Sequence, residues 1–231
     1  MKARFVILII FLVLAEQRAV SQPQVKTAAQ PGELAADTGL RVGVFQEEFR
    51  LEYTAKDGLP SDDVRSVAVT ASSDVYAGTA RGLTRFSAGK WATVAADGEA
   101  VEQAATSGDD VWFLSAGKLV GLHGQSFLLP SSKINQMVAG GRPLLASEAG
   151  LYVLANKIFV LDSSLARLLG SQPAVRQVAV AADGSIAVAA LAGLFLKPVG
   201  GAWRAVYPRN ATRSWAPYDV RGVAFDSKDR L

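Results

Sequence analysis

What most constrains this chain is that it resembles itself. Val64-Arg65-Ser66-Val67-Ala68-Val69 is followed by Asp74-Val75-Tyr76-Ala77-Gly78-Thr79, by Gly82-Leu83-Thr84-Arg85-Phe86 and by Gly89-Lys90-Trp91. The succession returns as Val175-Arg176-Gln177-Val178-Ala179-Val180, Gly184-Ser185-Ile186-Ala187-Val188, Gly193-Leu194-Phe195-Leu196 and Trp203. In both copies 18 residues separate the first valine from the Gly-Leu pair. Weaker copies open at Val101, where Phe127 takes the tryptophan's place, and at Ile134, and a fifth opens with Val220-Arg221-Gly222-Val223-Ala224-Phe225. The openings at 64, 101, 134, 175 and 220 lie 37, 33, 41 and 45 residues apart.

Each unit is a set of short clusters of Val, Leu, Phe, Trp and Tyr divided by Gly, Asp and Ser. Those are strand and turn signals, and no cluster keeps a helical period for three turns. One unit is then a three- or four-stranded antiparallel meander, apolar on both faces, that must be covered on each side by copies of itself. Repeats of this length with four strands are the propeller pattern; the rival, a solenoid, uses shorter or helical repeats. The expected fold is all-β: a partial β-propeller of about four blades plus the start of a fifth. Strands are expected over residues 64–69, 75–78, 83–86, 175–180, 186–188, 193–196 and 220–225, with no helix of ten or more residues between Val64 and Phe225. Glycine before leucine at 82, 150 and 193 suits a turn needing positive φ. The small residues Ala77-Gly78-Thr79, Ala146-Ser147 and Ala189-Ala190 suit positions where neighbouring sheets come close. Phe49, Leu51 and Tyr53 alternate with Arg50, Glu52 and Thr54, which nominates an early strand for closing the ring.

The first residues read as an export leader. Met1-Lys2-Ala3-Arg4 precedes eleven unbroken apolar residues, Phe5 to Ala15. As a helix these rise about 16 Å, roughly half of a bilayer's hydrocarbon core. A secretory h-region is favoured over a spanning helix. Ala19 and Ser21 fit cleavage after Ser21, and Val13 and Ala15 fit cleavage after Ala15. The organisation expected is a signal peptide over 1–21, a linker over 22–40 and propeller repeats over 41–231, with the mature chain periplasmic or secreted. Leu231 falls where Ile186 opens the second strand of its blade, so the chain is expected to be an N-terminal fragment, poorly stable alone and prone to associate.

Composition narrows the chemistry. Of the formal charge of +3, the first 21 residues carry +2, so the remainder is close to neutral and lacks the footprint of nucleic-acid binding. There is no cysteine and one histidine, which excludes disulfides, Cys-zinc sites, thiol nucleophiles and two-histidine metal motifs. His123 reads as a turn residue. The doublets Asp62-Asp63 and Asp109-Asp110 lack the alternating oxygen ligands of a calcium loop and read as turn caps. Gly78 through Gly82 is no phosphate loop, since no Lys-Ser/Thr pair follows and no helix opens. Asn210-Ala211-Thr212 is a formal sequon. Trp91, Trp112 and Trp203 sit in the repeat and read as core; Trp215, outside it, is the one aromatic candidate for a ligand contact. No catalytic, cofactor-binding or metal residue is expected, and no cofactor.

At Asp57-Gly58-Leu59-Pro60-Ser61 and again at Tyr76-Ala77-Gly78-Thr79-Ala80-Arg81-Gly82-Leu83 the chain resembles the two-component regulator propeller repeat. Members of that family read Asp-Gly-Leu-Pro, a short strand, then Trp-x-Gly-Thr-x-x-Gly-Leu; here Tyr76 replaces the tryptophan. The resemblance covers roughly Phe49 to Leu231. It implies a propeller, usually seven-bladed and often in tandem, forming the periplasmic sensing part of a bacterial membrane receptor. A β-sandwich, a membrane helix and a histidine kinase or diguanylate cyclase commonly follow. The function expected is non-enzymatic sensing of a small-molecule, glycan or protein ligand, with membrane contact only through the leader or a later span. The alternatives are an exported propeller enzyme, a lyase or quinone-dependent dehydrogenase, and a secreted protein-interaction scaffold.

Overall fold

Among the described residues the strands fall into four antiparallel sheets of four, each a meander of consecutive strands. The computed structural model describes residues 51–207 and 218–231; the leader, the linker and Trp215 lie outside them. Blade A holds β1 (Val64–Val69), β2 (Val75–Thr79), β3 (Gly82–Ser87) and β4 (Lys90–Ala95). Blade B holds β5 (Val101–Ser107), β6 (Asp110–Ser115), β7 (Lys118–Gly121) and β8 (Ser126–Leu128). Blade C holds β9 (Ile134–Val138), β10 (Leu144–Ser147), β11 (Gly150–Ala155) and β12 (Ile158–Leu161). Blade D, which follows the helix α1 (Ser163–Leu169), holds β13 (Val175–Val180), β14 (Ile186–Ala190), β15 (Gly193–Lys197) and β16 (Arg204–Tyr207). The four repeat openings read from the sequence are the first residues of β1, β5, β9 and β13. These first strands lie side by side from blade to blade, which makes them the inner strands of a β-propeller.

Both faces of the two middle sheets are buried against neighbouring blades, as the two-sided apolar pattern requires. Tyr76 and Leu83 of blade A pack on Val101, Val111 and Phe113 of blade B. Leu114 and Leu119 of blade B pack on Met137 and Leu145 of blade C, and Leu144 and Leu151 of blade C on Val178, Val188 and Phe195 of blade D. The glycines at 82, 150 and 193 have φ of 143°, 132° and 133°. At Gly78 a Cβ would stand 2.7 Å from Val101 Cγ1 of the next blade, so the small residues do sit at the close approach. Trp91 and Trp203 are buried, and Trp112 stacks on Phe127 with ring centroids 6.1 Å apart.

A polar clasp accompanies this packing. In blades B, C and D the third residue of the inner strand presents a side-chain oxygen to a backbone amide of the repeat that follows. Gln103 Oε1 accepts from Met137 N at 2.8 Å, Gln136 Oε1 from Val178 N at 2.7 Å and Gln177 Oε1 from Val223 N at 2.9 Å. In blade A the position is Ser66, too short to reach, and its Oγ is buried without a partner.

Residues 220–225, expected as a strand, are not one. No described segment pairs with them as a second strand, and their amides turn to blade D instead: Val220 N donates to Ala190 O at 3.0 Å and Val223 N to Gln177 Oε1. The turn that follows still copies the repeat. Asp226 N bonds Arg230 O and Asp229 N bonds Asp226 O, as Thr70 N bonds Asp74 O and Ser73 N bonds Thr70 O in blade A. The early closing strand is corrected as well. Phe49 and Arg50 lie outside the described residues, and residues 51–54 form no strand; Tyr53 packs edge-on to Phe86 and Trp91 at centroid distances of 5.2 and 5.9 Å.

Two local structures complete the packing. Ahead of blade A a 3-10 turn (Ala55–Asp57) is capped by Thr54, whose hydroxyl accepts from Lys56 N, while Thr54 N donates to the Asp57 carboxylate at 2.8 Å. Gly58 ends the turn at φ 97°, where a Cβ would stand 2.2 Å from Trp91 O, and Leu59 drops into the core. Each residue of Asp57-Gly58-Leu59 thus has a packing role. Between blades C and D, α1 buries Leu165 and Leu169. It is the one α-helix among the described residues, and at two turns it is too short to register as a helical period. Asp162 caps it: Oδ1 accepts from Ser164 N and Leu165 N at 3.0 Å each, and Oδ2 accepts from Trp203 Nε1 at 2.9 Å. Partial burial alone would raise this carboxyl, but the hydrogen bonds from Ser164, Leu165 and Trp203 and the charge of Lys197 outweigh it, so Asp162 titrates below the ordinary carboxylate range.

Gly58→Ala meets both a positive φ and a backbone carbonyl. It should destabilise the chain by about 2 kcal/mol or more, read as a lower urea midpoint at unchanged slope. Because the Asp162 pKa is depressed on folding, its contribution is complete at neutral pH and is lost as pH falls below about 4. The difference in Tm between the native chain and Asp162→Asn should therefore be largest near pH 7 and shrink on acidification to about pH 3.

Candidate functional site

Every inner strand carries a bulge at its second residue. Val64 pairs with Thr79 and Ser66 with Gly78, so Arg65 has no partner across the sheet. Val101 pairs with Ser115 and Gln103 with Leu114, which leaves Glu102 over. The same skip occurs at Asn135, between Ile134 and Gln136, and at Arg176, between Val175 and Gln177. An extra residue bends the strand locally and re-aims its side chain. In all four blades that side chain is polar, at the end of the sheet where the inner strand begins.

Because the inner strands adjoin, these side chains and their neighbours form one polar surface. Arg65 bridges to Asp63 at 3.3 Å and to Glu102 of the next blade. Asn135 Nδ2 donates to Val175 O at 2.8 Å, and Gln103 Nε2 to Asn135 O at 3.2 Å. Arg176 reaches Glu148 at 3.3 Å and Asp219 at 3.4 Å; Arg221 meets Asp219 at 3.3 Å. The side chains of Arg65 and Arg176 are about one-third exposed, and that of Arg221 almost fully so. The charges alternate in sign and are mutually paired. Such a surface offers forked donors and carboxylate acceptors to a polar ligand or protein loop.

The residues weighed in the sequence fall elsewhere. His123 is exposed in the turn between β7 and β8, with Nε2 3.7 Å from Asp110 Oδ1. The aspartate doublets divide their work: Asp62 Oδ1 accepts from Ala55 N at 2.6 Å while Asp63 holds Arg65, and Asp109 Oδ1 accepts from Ser72 N at 2.8 Å while Asp110 faces His123. Among the described residues no three His, Asp or Glu side chains cluster as metal ligands. Trp215 and Asn210-Ala211-Thr212 lie outside the described residues. The bulge residues were missed although Val-Arg recurs at 64, 175 and 220, because the pair reads as ordinary strand until the register is known.

No family model matches the chain, and no curated protein matches it. Solved structures do. The extracellular domain of the hybrid two-component system BT4673 from B. thetaiotaomicron is 19% identical at a TM-score of 0.50, with 62% of this chain and 22% of that one covered. For the extracellular domain of the hybrid two-component system BT3049 from the same organism the values are 12%, 0.53, 74% and 25%. For PorZ, a surface component of the type-IX secretion system of Porphyromonas gingivalis, they are 17%, 0.50, 71% and 24%. The chain spans about a quarter of the length of these structures, and the likeness at such identities is one of fold: this is a β-propeller chain.

The bulge pairs and the glutamine clasps should differ in weight. Partly exposed ion pairs contribute at most about 1 kcal/mol each. Arg176→Ala should therefore lower Tm by only a few degrees, and less still in 1 M salt. Gln136→Ala leaves the Val178 amide unpaired between packed blades, at a cost of about 1–3 kcal/mol that salt does not reduce. Thermal melts at two salt concentrations compare the two variants.

Proposed function

We propose that this propeller is the extracytoplasmic sensing part of a bacterial receptor of the two-component type, and that its polar bulge face receives the signal as a small polar molecule, a glycan or a loop of a partner protein. The observation that carries this reading is the recurrence of one polar bulge in all four blades, which gathers Arg65, Glu102, Asn135 and Arg176 on one surface. Ladder geometry alone does not require charge there.

Three further features support it. The Asp57-Gly58-Leu59-Pro60 and Gly78-Thr79-Ala80-Arg81-Gly82-Leu83 segments resemble the two-component regulator propeller repeat. Two of the structures of like fold are extracellular domains of hybrid two-component systems. The basic start and eleven apolar residues of the leader favour export. On this reading the region acts by binding and performs no catalysis, and Trp215 remains a candidate contact.

The test combines location with output. In the native bacterium a tagged chain should be digested by protease added outside the cytoplasmic membrane. Deleting the gene, and separately replacing Arg65 and Arg176 with alanine, should alter transcription of the same set of genes. Protection from protease, or a deletion without transcriptional effect, overturns the sensing role; a deletion effect that the double replacement does not share overturns the bulge face as its site.

A further inference from the structure

The seams between blades are not closed alike. At the end of the sheets opposite the bulges, blades A and B are joined by Ala71 N to Gly108 O at 2.9 Å and Ser72 N to Asp109 Oδ1 at 2.8 Å. Blade D and the fifth repeat are joined there by Ala182 N to Asp229 Oδ1 at 2.8 Å. Among the described residues no such bond links blade B to blade C or blade C to blade D. The connection from blade C to blade D is also the longest: thirteen residues, 162–174, against five each at 96–100 and 129–133. Its helix α1 is wedged into the seam by Leu165 and Leu169.

At the seam between blades C and D, where α1 enters, there is a cleft of about 540 Å³. That volume lies within the usual range for small-molecule sites, about 300–1,000 Å³. Val138, Val153 and Ile186 give it an apolar floor, and Arg142, Lys197 and Asp162 are its charged groups. The carboxylate is already committed, since both oxygens of Asp162 accept hydrogen bonds from α1 and Trp203. Neither cation touches a described carboxylate, although Lys197 is near enough for its charge to act on Asp162, and it lies 5.8 Å over the Trp203 ring. The cleft therefore carries two cations against one carboxylate, a net positive charge above an apolar surface.

We propose that this cleft binds a small organic carboxylate with an apolar body, its anionic head on Arg142 and Lys197 and its hydrocarbon on Val138, Val153 and Ile186. A compact polar anion such as phosphate would leave the floor uncovered, and a neutral hydrocarbon would leave the two cations unmatched. The site lies on a seam, apart from the bulge face, and stands whether or not that face senses a signal.

Isothermal titration of the purified full chain with 4-phenylbutyrate, octanoate and indole-3-acetate tests it, beside 4-phenylbutanamide and inorganic phosphate. At least one of the three acids should bind saturably at a 1:1 ratio, with the amide and phosphate at least about tenfold weaker. Arg142→Gln and Lys197→Gln, both on the rim, should each weaken that acid about tenfold, and Val153→Trp, which fills the cleft, should abolish it. Should Val153→Trp fail to fold, the two rim variants and the acid-to-amide ratio still decide. No saturable binding by any acid below about 5 mM, equal binding of acid and amide, phosphate binding as tightly as the acids, or rim variants without effect would each overturn the proposal. None of these readouts involves signalling, so its failure is separable from that of the sensing role.

Discussion

A four-stranded meander with apolar side chains on both faces cannot bury itself; it is stable only between two others like it. Everything else in this chain follows from that mutual burial. Leu83 of blade A is fully covered because Val101 and Val111 of blade B lie against it, and Leu151 of blade C because blade D does the same. Apolar contact fixes which faces meet but leaves sliding between sheets cheap. The glutamine clasps supply the missing direction, since Gln103, Gln136 and Gln177 each select one amide of the next repeat.

The repeat was legible because mutual burial writes the same apolar clusters into every blade. Its openings at 64, 101, 134 and 175 are strand starts, and the meanders follow as the spacing predicts. Residues 220–225 had the composition of an inner strand without a second strand beside them, and a strand is a relation between segments rather than a property of one. The helix α1 was missed because two turns hold too few residues to show a period, although Asp162-Ser163-Ser164 offered a capping signal.

The candidate sites were less legible, and for a physical reason. A bulge is a difference in residue count between two paired strands, so Arg65 and Arg176 become special only when their registers are compared. The cleft between blades C and D is further from sequence still, since it depends on how a thirteen-residue connection and its helix pack. The turn-end bonds that Asp109 and Asp229 make at two other seams are, in the sequence, only aspartates in turns. Trp215, which did stand out, lies outside the described residues.

The fifth repeat occupies its place without a sheet of its own. Its amides are taken by Ala190 O and Gln177, its turn has already closed at Asp226, and Asp229 has already found Ala182. The clasps run one way along the chain: in each of the three seams the glutamine of the earlier blade accepts from an amide of the repeat after it, so every such repeat is docked through a group that the preceding blade already holds in place.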